Sequence, residues 1–320
     1  MFFKNFLIWI IIMTISITIS SNSWFMYWLM MELNLLTFIP IMNSKKKNNS
    51  NCMITYFIIQ TFSSTVFLIS ILNLNIFNLY FFNLCLLISL MIKLAIIPFH
   101  FWLTHLSEMI DFKSLFLILT IQKFIPLFIL SLFFMKIIIL FALISSIFGS
   151  IFVINLKSFK KILIFSSISH QGWMISLILV KSNFWISYLI IYSFLIYKIT
   201  YLLNKNKFNF TNSMFFNKKM FLEKISFFML MLSLGGMPPF LGFIAKMISI
   251  IIIMNNNNII ILILIISSII NIFIYLRMMS PILFINSINF KNFFKNTFKY
   301  KNMFLNMNMM ITIFAINLII

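Results

Sequence analysis

The 320-residue chain is 62% hydrophobic and only 9% charged, with a mean hydropathy of +1.10 and a net charge of +20. Soluble domains carry roughly 25% charged residues, so the composition excludes a soluble globular protein and leaves lipid as the solvent. A nucleic-acid binder would gather its basic residues on one solvated face among aromatic platforms; here they fall at the ends of apolar runs instead.

Taken in chain order, apolar runs long enough to cross a bilayer occupy 6–21, 24–42, 53–72, 80–103, 113–135, 137–155, 161–180, 184–203, 225–253, 259–279 and 303–320. They do not alternate, so they predict helices that satisfy their own backbone hydrogen bonds rather than barrel strands. The expected fold is all-α: a polytopic membrane protein of about eleven transmembrane helices, one domain over 1–320, with five-helix units at 1–135 and 137–279 and a final helix at 303–320. The first run reads as a retained span rather than a signal peptide, because Ser21–Trp24 leads straight into the second.

Charge sets the expected orientation. With the N-terminus and the far ends of the even-numbered spans on one side, that side holds eighteen lysines and arginines, from Lys4 to Lys301, against Lys136 and Lys181 opposite. This asymmetry puts the N-terminus on the cytoplasmic or matrix side and, after an odd number of spans, the C-terminus on the other. The polar loops are few, at 43–51, 204–224, 255–258 and 285–302. In the last, Phe290, Phe294 and Phe298 share a helical column beside Lys291, Lys295 and Lys299, which fits either an interfacial helix or a basic loop with incidental phenylalanines.

Cys52 and Cys85 have no metal-ligand spacing, and the five glycines form no dinucleotide or phosphate loop. Arg277 is the one arginine among 24 basic residues, and Ile, Phe, Asn and Met are abundant. This bias points to AT-rich coding DNA and an organelle genome.

Six ionisable residues inside the spans stand out as candidates: Glu32, Lys93, Lys123, His170, Lys198 and Lys246. A charge at mid-bilayer costs roughly 2.5 to 3.5 kcal/mol on insertion scales, so a chain that keeps several pairs them or uses them. Burial favours the neutral amine and a nearby carboxylate favours the charged one. A carboxylate whose distance or hydration changes therefore switches a lysine, and the set titrates as a coupled group. Against this stand static interhelical pairs and snorkelling ends. Lys198, near a span end, fits snorkelling, and His170 fits either a packing residue or a proton relay. Glu108 and Asp111, after the fourth span, read as solvated charge.

Prolines and glycines predict where helices break: Pro98 lies five residues after Lys93, Pro126 three after Lys123, and Gly235, Gly236, Pro238 and Pro239 precede Lys246. Broken helices free backbone groups that protein or water must satisfy, so hydrated cavities are expected beside the lysines. In each five-helix unit a broken, lysine-bearing helix comes fourth, at Lys93 and at Lys246, and a five-helix repeat inverts across the membrane. Ion-coupled transporters share this layout.

In order along the chain, SNSW at 21–24, LMMELNLLTFIP at 29–40, KLAIIPFHFW at 93–102, TIQKFIP at 120–126, SSISHQGWM at 166–174 and SLGGMPPFLGFIAK at 233–246 resemble the antiporter-like subunit 2 family of mitochondrial NADH:ubiquinone oxidoreductase, respiratory complex I, in its shortened animal form. That family lacks three N-terminal helices of its relatives, leaving eleven. The resemblance implies that Glu32 is the family's buried glutamate, Lys93 its partner on the first broken helix, Lys123 the central lysine and Lys246 the lysine of the second broken helix. These are the groups the family assigns to proton transfer, passing from Lys93 to Lys123 and on to Lys246. Thr104 and Ala245 depart from it, standing where relatives usually carry proline.

The resemblance further implies proton translocation coupled to electron transfer from NADH to ubiquinone, with FMN, iron–sulfur clusters and the ubiquinone site in other subunits and no cofactor in this chain. It implies the mitochondrial inner membrane, with the N-terminus in the matrix and the C-terminus in the intermembrane space. The expected partners are other membrane-arm subunits, including neighbouring antiporter-like ones, and lipids such as cardiolipin, with no nucleic acid. From the residues alone, a stand-alone cation/proton antiporter and a membrane scaffold whose charges only hold helices together remain open.

Overall fold

A computed structural model describes residues 2–43, 49–77, 80–133, 135–211, 221–254 and 258–287. The expected final helix at 303–320, the phenylalanine–lysine pattern after 288 and most of the loop lysines lie outside the described residues. Thirteen helices are found among those described. Seven spans of 18 residues or more, one of them interrupted, are long and apolar enough to cross a bilayer, and shorter apolar helices accompany them. The chain is a multi-pass, all-helical membrane protein.

The chain divides into two compact units, 1–141 and 142–320. In the first, α1 (Phe2–Ser20), α2 (Trp24–Met42) and α3 (Asn49–Phe77) are continuous. Ser23 caps α2 by accepting from the Met26 amide, and Lys4 Nζ donates to the Ile41 and Asn43 carbonyls at its other end. The fourth expected span is broken into α4 (Tyr80–Leu94) and α5 (Phe101–Ser107), and the fifth into α6 (Phe112–Leu119) and α7 (Ile121–Leu132). α2 packs against both α3 and α7, and α4 packs against α3 and α7.

The second unit holds most of α8 (Ile138–Ile151), then α9 (Phe159–Leu179), α10 (Phe184–Asn206), α11 (Phe221–Gly235), α12 (Leu241–Met254) and α13 (Asn258–Ser287). α9 is its centre, 94% buried and packed by α10, α12 and α13. α8 reaches it through reciprocal glycines. A Cβ at Gly172 would lie 2.8 Å from the Ala142 carbonyl oxygen, and one at Gly149 would lie 2.8 Å from the Ser169 amide. Small residues are what allow helix backbones this close in a membrane.

Two of the three breaks close in the same way. Ala95 follows α4 with φ 56°, and the amides of Ala95 and Ile96 bond to Ile92 and Met91 at 3.1 and 3.2 Å. Gly236 follows α11 with φ 83°, and the amides of Gly236 and Met237 bond to Ser233 and Leu232 at 3.1 and 3.2 Å. This paired closure around a left-handed residue satisfies the carbonyls a helix would otherwise orphan. Pro98 and Pro238 then bar the helix from resuming at once.

The remaining break corrects the expectation. It falls at Thr120, three residues before Lys123, not at Pro126, which lies inside α7. Thr120 has φ −123° and ψ −79°, outside the helical region, and its hydroxyl returns to the Phe116 carbonyl at 2.7 Å. Pro126 only removes one amide within α7, and the helix tolerates that loss. A second correction concerns Lys224, expected in the 204–224 loop but buried in the first turn of α11, beside a Lys205–Glu223 ion pair of 2.6 Å.

Candidate functional site

In the first unit the structure brings Glu32 and Lys93 to one face of α3, and Lys93 and Lys123 to one cavity. Lys93 lies in the last turn of α4, and its Nζ donates to the Gln60 carbonyl of α3 at 3.5 Å. Glu32, on α2, accepts a hydrogen bond from the Ser64 hydroxyl. Gln60 and Ser64 are one turn apart, so a single face of α3 serves the ammonium and the carboxylate.

Lys93 and Lys123 line the same small cavity, of about 30 Å³, between α2, α3, α4, α5, α6 and α7. Its polar lining includes Asn34, Tyr56, Gln60 and Gln122 as well as the lysines. Tyr56 packs edge-on against Phe38 at 5.4 Å and tilts on Trp102 at 6.0 Å, while Trp102 Nε1 donates to the Ile92 carbonyl at 3.1 Å. These contacts anchor α5 and the break beside Lys93. Gln122 Nε2 donates to Asn34 Oδ1 at 2.9 Å and joins α7 to α2.

Lys246 and His170 belong to the second unit. Lys246 Nζ donates to the Gly235 carbonyl at 2.5 Å and sits 5.9 Å from the Trp173 ring centroid. Both contacts favour a cation: a helix C-terminus carries a partial negative charge, and an aromatic face attracts an ammonium within about 6 Å. Gly236 keeps the space open, since a Cβ there would meet Lys246 Cδ at 2.7 Å. His170 is buried on α9 one turn before Trp173; its Nδ1 lies 2.8 Å from the Tyr188 hydroxyl, and the Tyr192 ring lies 5.1 Å away. Lys198 is half-buried, its Nζ 4.0 Å from the Phe194 ring centroid.

The charged residues stood out in the sequence, whereas their neutral partners did not. Gln60, Ser64, Asn34, Gln122 and Tyr188 carry no charge to flag them. The available signal was only a polar side chain inside an apolar run, and of these Gln122 alone stands next to one of the candidate residues, Lys123.

Residues 21–271 match the family of NADH:quinone oxidoreductase and Mrp antiporter transmembrane subunits. The chain belongs to that family. Within it, the NADH-ubiquinone oxidoreductase chain 2 of Rhipicephalus sanguineus is 48% identical over 314 residues, which are 98% of this chain and 99% of the relative. The protein of the same name from Anopheles gambiae is 35% identical, covering 94% of this chain and 90% of the relative. The fold of the family extends to a chain of respiratory complex I from Thermus thermophilus, with a TM-score of 0.77 at 19% identity over 86% of this chain and 69% of that one. It also extends to a chain of the Mrp complex from Dietzia sp., with a TM-score of 0.73 at 15% identity over 85% of this chain and 59% of that one.

Proposed function

We propose that Glu32, Lys93, Lys123 and Lys246 are the proton-transfer groups of this chain, with His170 as a relay in the second unit. The chain is a membrane-arm subunit of a proton-translocating NADH:ubiquinone oxidoreductase. The observation that carries the residue assignment is the cavity shared by Lys93 and Lys123, with one face of α3 holding both Lys93 and Glu32.

An ammonium at Lys93 is favoured while the Glu32 carboxylate is near and ionised. If Glu32 is protonated or withdrawn, Lys93 loses that support and releases its proton into the polar cavity, where the Lys123 amine accepts it. Lys246 works against a different counter-charge, the end of α11 together with the Trp173 ring. A proton arriving there is stabilised without a carboxylate. Conformational or electrostatic change elsewhere in the complex supplies the drive.

The wider setting belongs to the same proposal. The chain resides in the mitochondrial inner membrane with its N-terminus in the matrix and its C-terminus in the intermembrane space, supported by the lysine asymmetry of the sequence. FMN, the iron–sulfur clusters and the ubiquinone site lie in other subunits. Neighbouring antiporter-like subunits and lipids such as cardiolipin surround the chain, and nucleic acid is no partner. The two five-helix units are inverted repeats.

The test replaces Lys123 or Lys246 with Met in the assembled enzyme and measures protons pumped per electron beside NADH oxidation in vesicles. Loss of pumping is expected. An unchanged ratio with either variant removes that lysine from the path.

A further inference from the structure

We propose that Asn34 and Gln122 are positioning residues for proton exchange between Lys93 and Lys123, through an amide bridge between α2 and α7. Asn34 comes two residues after Glu32 on α2, which at 3.6 residues per turn turns it roughly 200° away. Glu32 accordingly meets Ser64 on α3, while Asn34 meets Gln122 on α7 at 2.9 Å. Gln122 directly precedes Lys123, and Asn34, Gln122, Lys93 and Lys123 all line the one cavity. α2 thus carries the carboxylate on one side and, on the other, a fixed link to the helix of the accepting lysine.

Amides suit this position. The bridge uses one donor and one acceptor, and in either orientation of the two groups it leaves further N–H and C=O sites on two residues that line the cavity. Those sites order water or an ammonium without taking up the proton, because an amide does not titrate near neutral pH. A carboxylate in the same place would trap the proton, and a hydrocarbon would leave it unguided. The bridge also fixes the distance between α2, which carries Glu32, and α7, which carries Lys123, so displacement of α2 is passed to the turn that holds Lys123.

This inference rests on the proposed roles of Lys93 and Lys123, and the experiment separates the two. Asn34→Leu, Gln122→Met and the exchanged pair Asn34→Gln with Gln122→Asn are compared with Lys123→Met in the assembled enzyme in vesicles. Assembly, NADH oxidation and protons per electron are measured for each. Each single amide variant is expected to assemble and to slow proton transfer by about two- to tenfold, the range spanned by one net hydrogen bond, and the exchanged pair is expected to recover it. Normal pumping by both single variants overturns the inference, as does pumping that falls only in proportion to assembled enzyme. An exchanged pair that behaves like the singles also overturns it, because packing rather than the bridge would then matter. If Lys123→Met itself pumps normally, the assignment of the lysines fails instead.

Discussion

Lys246 on α12 donates a 2.5 Å hydrogen bond to the carbonyl of Gly235, the last residue of α11, so the ammonium rests on the open end of the helix that precedes it. Gly236 makes this possible. Its φ of 83° closes α11, and its missing Cβ leaves room for Lys246 Cδ and Nζ, which an added Cβ would approach to 2.7 and 3.1 Å. Gly236→Ala is therefore expected to displace the lysine and to add about 1 kcal/mol of backbone strain. Proton pumping per electron should fall while most of the enzyme still assembles, as measured by native gel and vesicle acidification.

Gly242→Ala is expected to act differently. A Cβ at Gly242 would come within 1.7 Å of the Ser233 carbonyl oxygen, a backbone atom that has no rotamer to change. α11 and α12 would have to separate, at a cost of about 3 kcal/mol or more. The expected result is loss of assembled enzyme, seen as a reduced yield of the intact complex.

Ser64→Ala removes the hydroxyl that donates to Glu32. A hydrogen bond to a charged group contributes about 1.5 to 3 kcal/mol, and this one ties α3 to α2. The variant should leave Glu32 less firmly placed on the face of α3 that also holds Lys93. Protons pumped per electron should fall, measured against Ser64→Thr, which keeps a hydroxyl.

Ala95→Gly should stabilise. Ala95 holds φ 56° at the end of α4, a conformation in which its Cβ is strained and a glycine is not. Relief of that strain, less the extra freedom glycine has in the unfolded chain, leaves about 0.5 to 1 kcal/mol. Resistance of the purified enzyme to thermal inactivation should rise slightly with pumping unchanged.

Hydrophobic length without alternation located the seven long apolar spans and the shorter apolar helices among the described residues, because only helices and closed barrels satisfy their backbones in lipid. The break after Lys93 and the break before Lys246 were readable from Pro98 and from the Gly-Gly-Met-Pro-Pro run. The break before Lys123 was not. Thr120 is an ordinary residue inside an apolar run, and the nearby Pro126 drew attention to the wrong turn. The cavity was expected in kind but not in membership. Which side chains meet across α2, α3 and α7 depends on how the helices are rotated, and nothing local to Asn34 or Gln122 reveals their 2.9 Å contact.

The closure shared by α4 and α11 bears on how this chain tolerates change. At both breaks part of the counter-charge for a lysine resides in main-chain atoms: Lys93 lies in the final turn of α4, and Lys246 bonds the end of α11. Such a dipole, roughly half an elementary charge at a helix terminus, belongs to no side chain and cannot be deleted by a codon change. It persists while the residue after the helix accepts positive φ, a condition met by glycine at one break and by alanine at the other. A gene whose composition drifts toward isoleucine, phenylalanine and asparagine can therefore rewrite most of its letters and still keep its lysines seated.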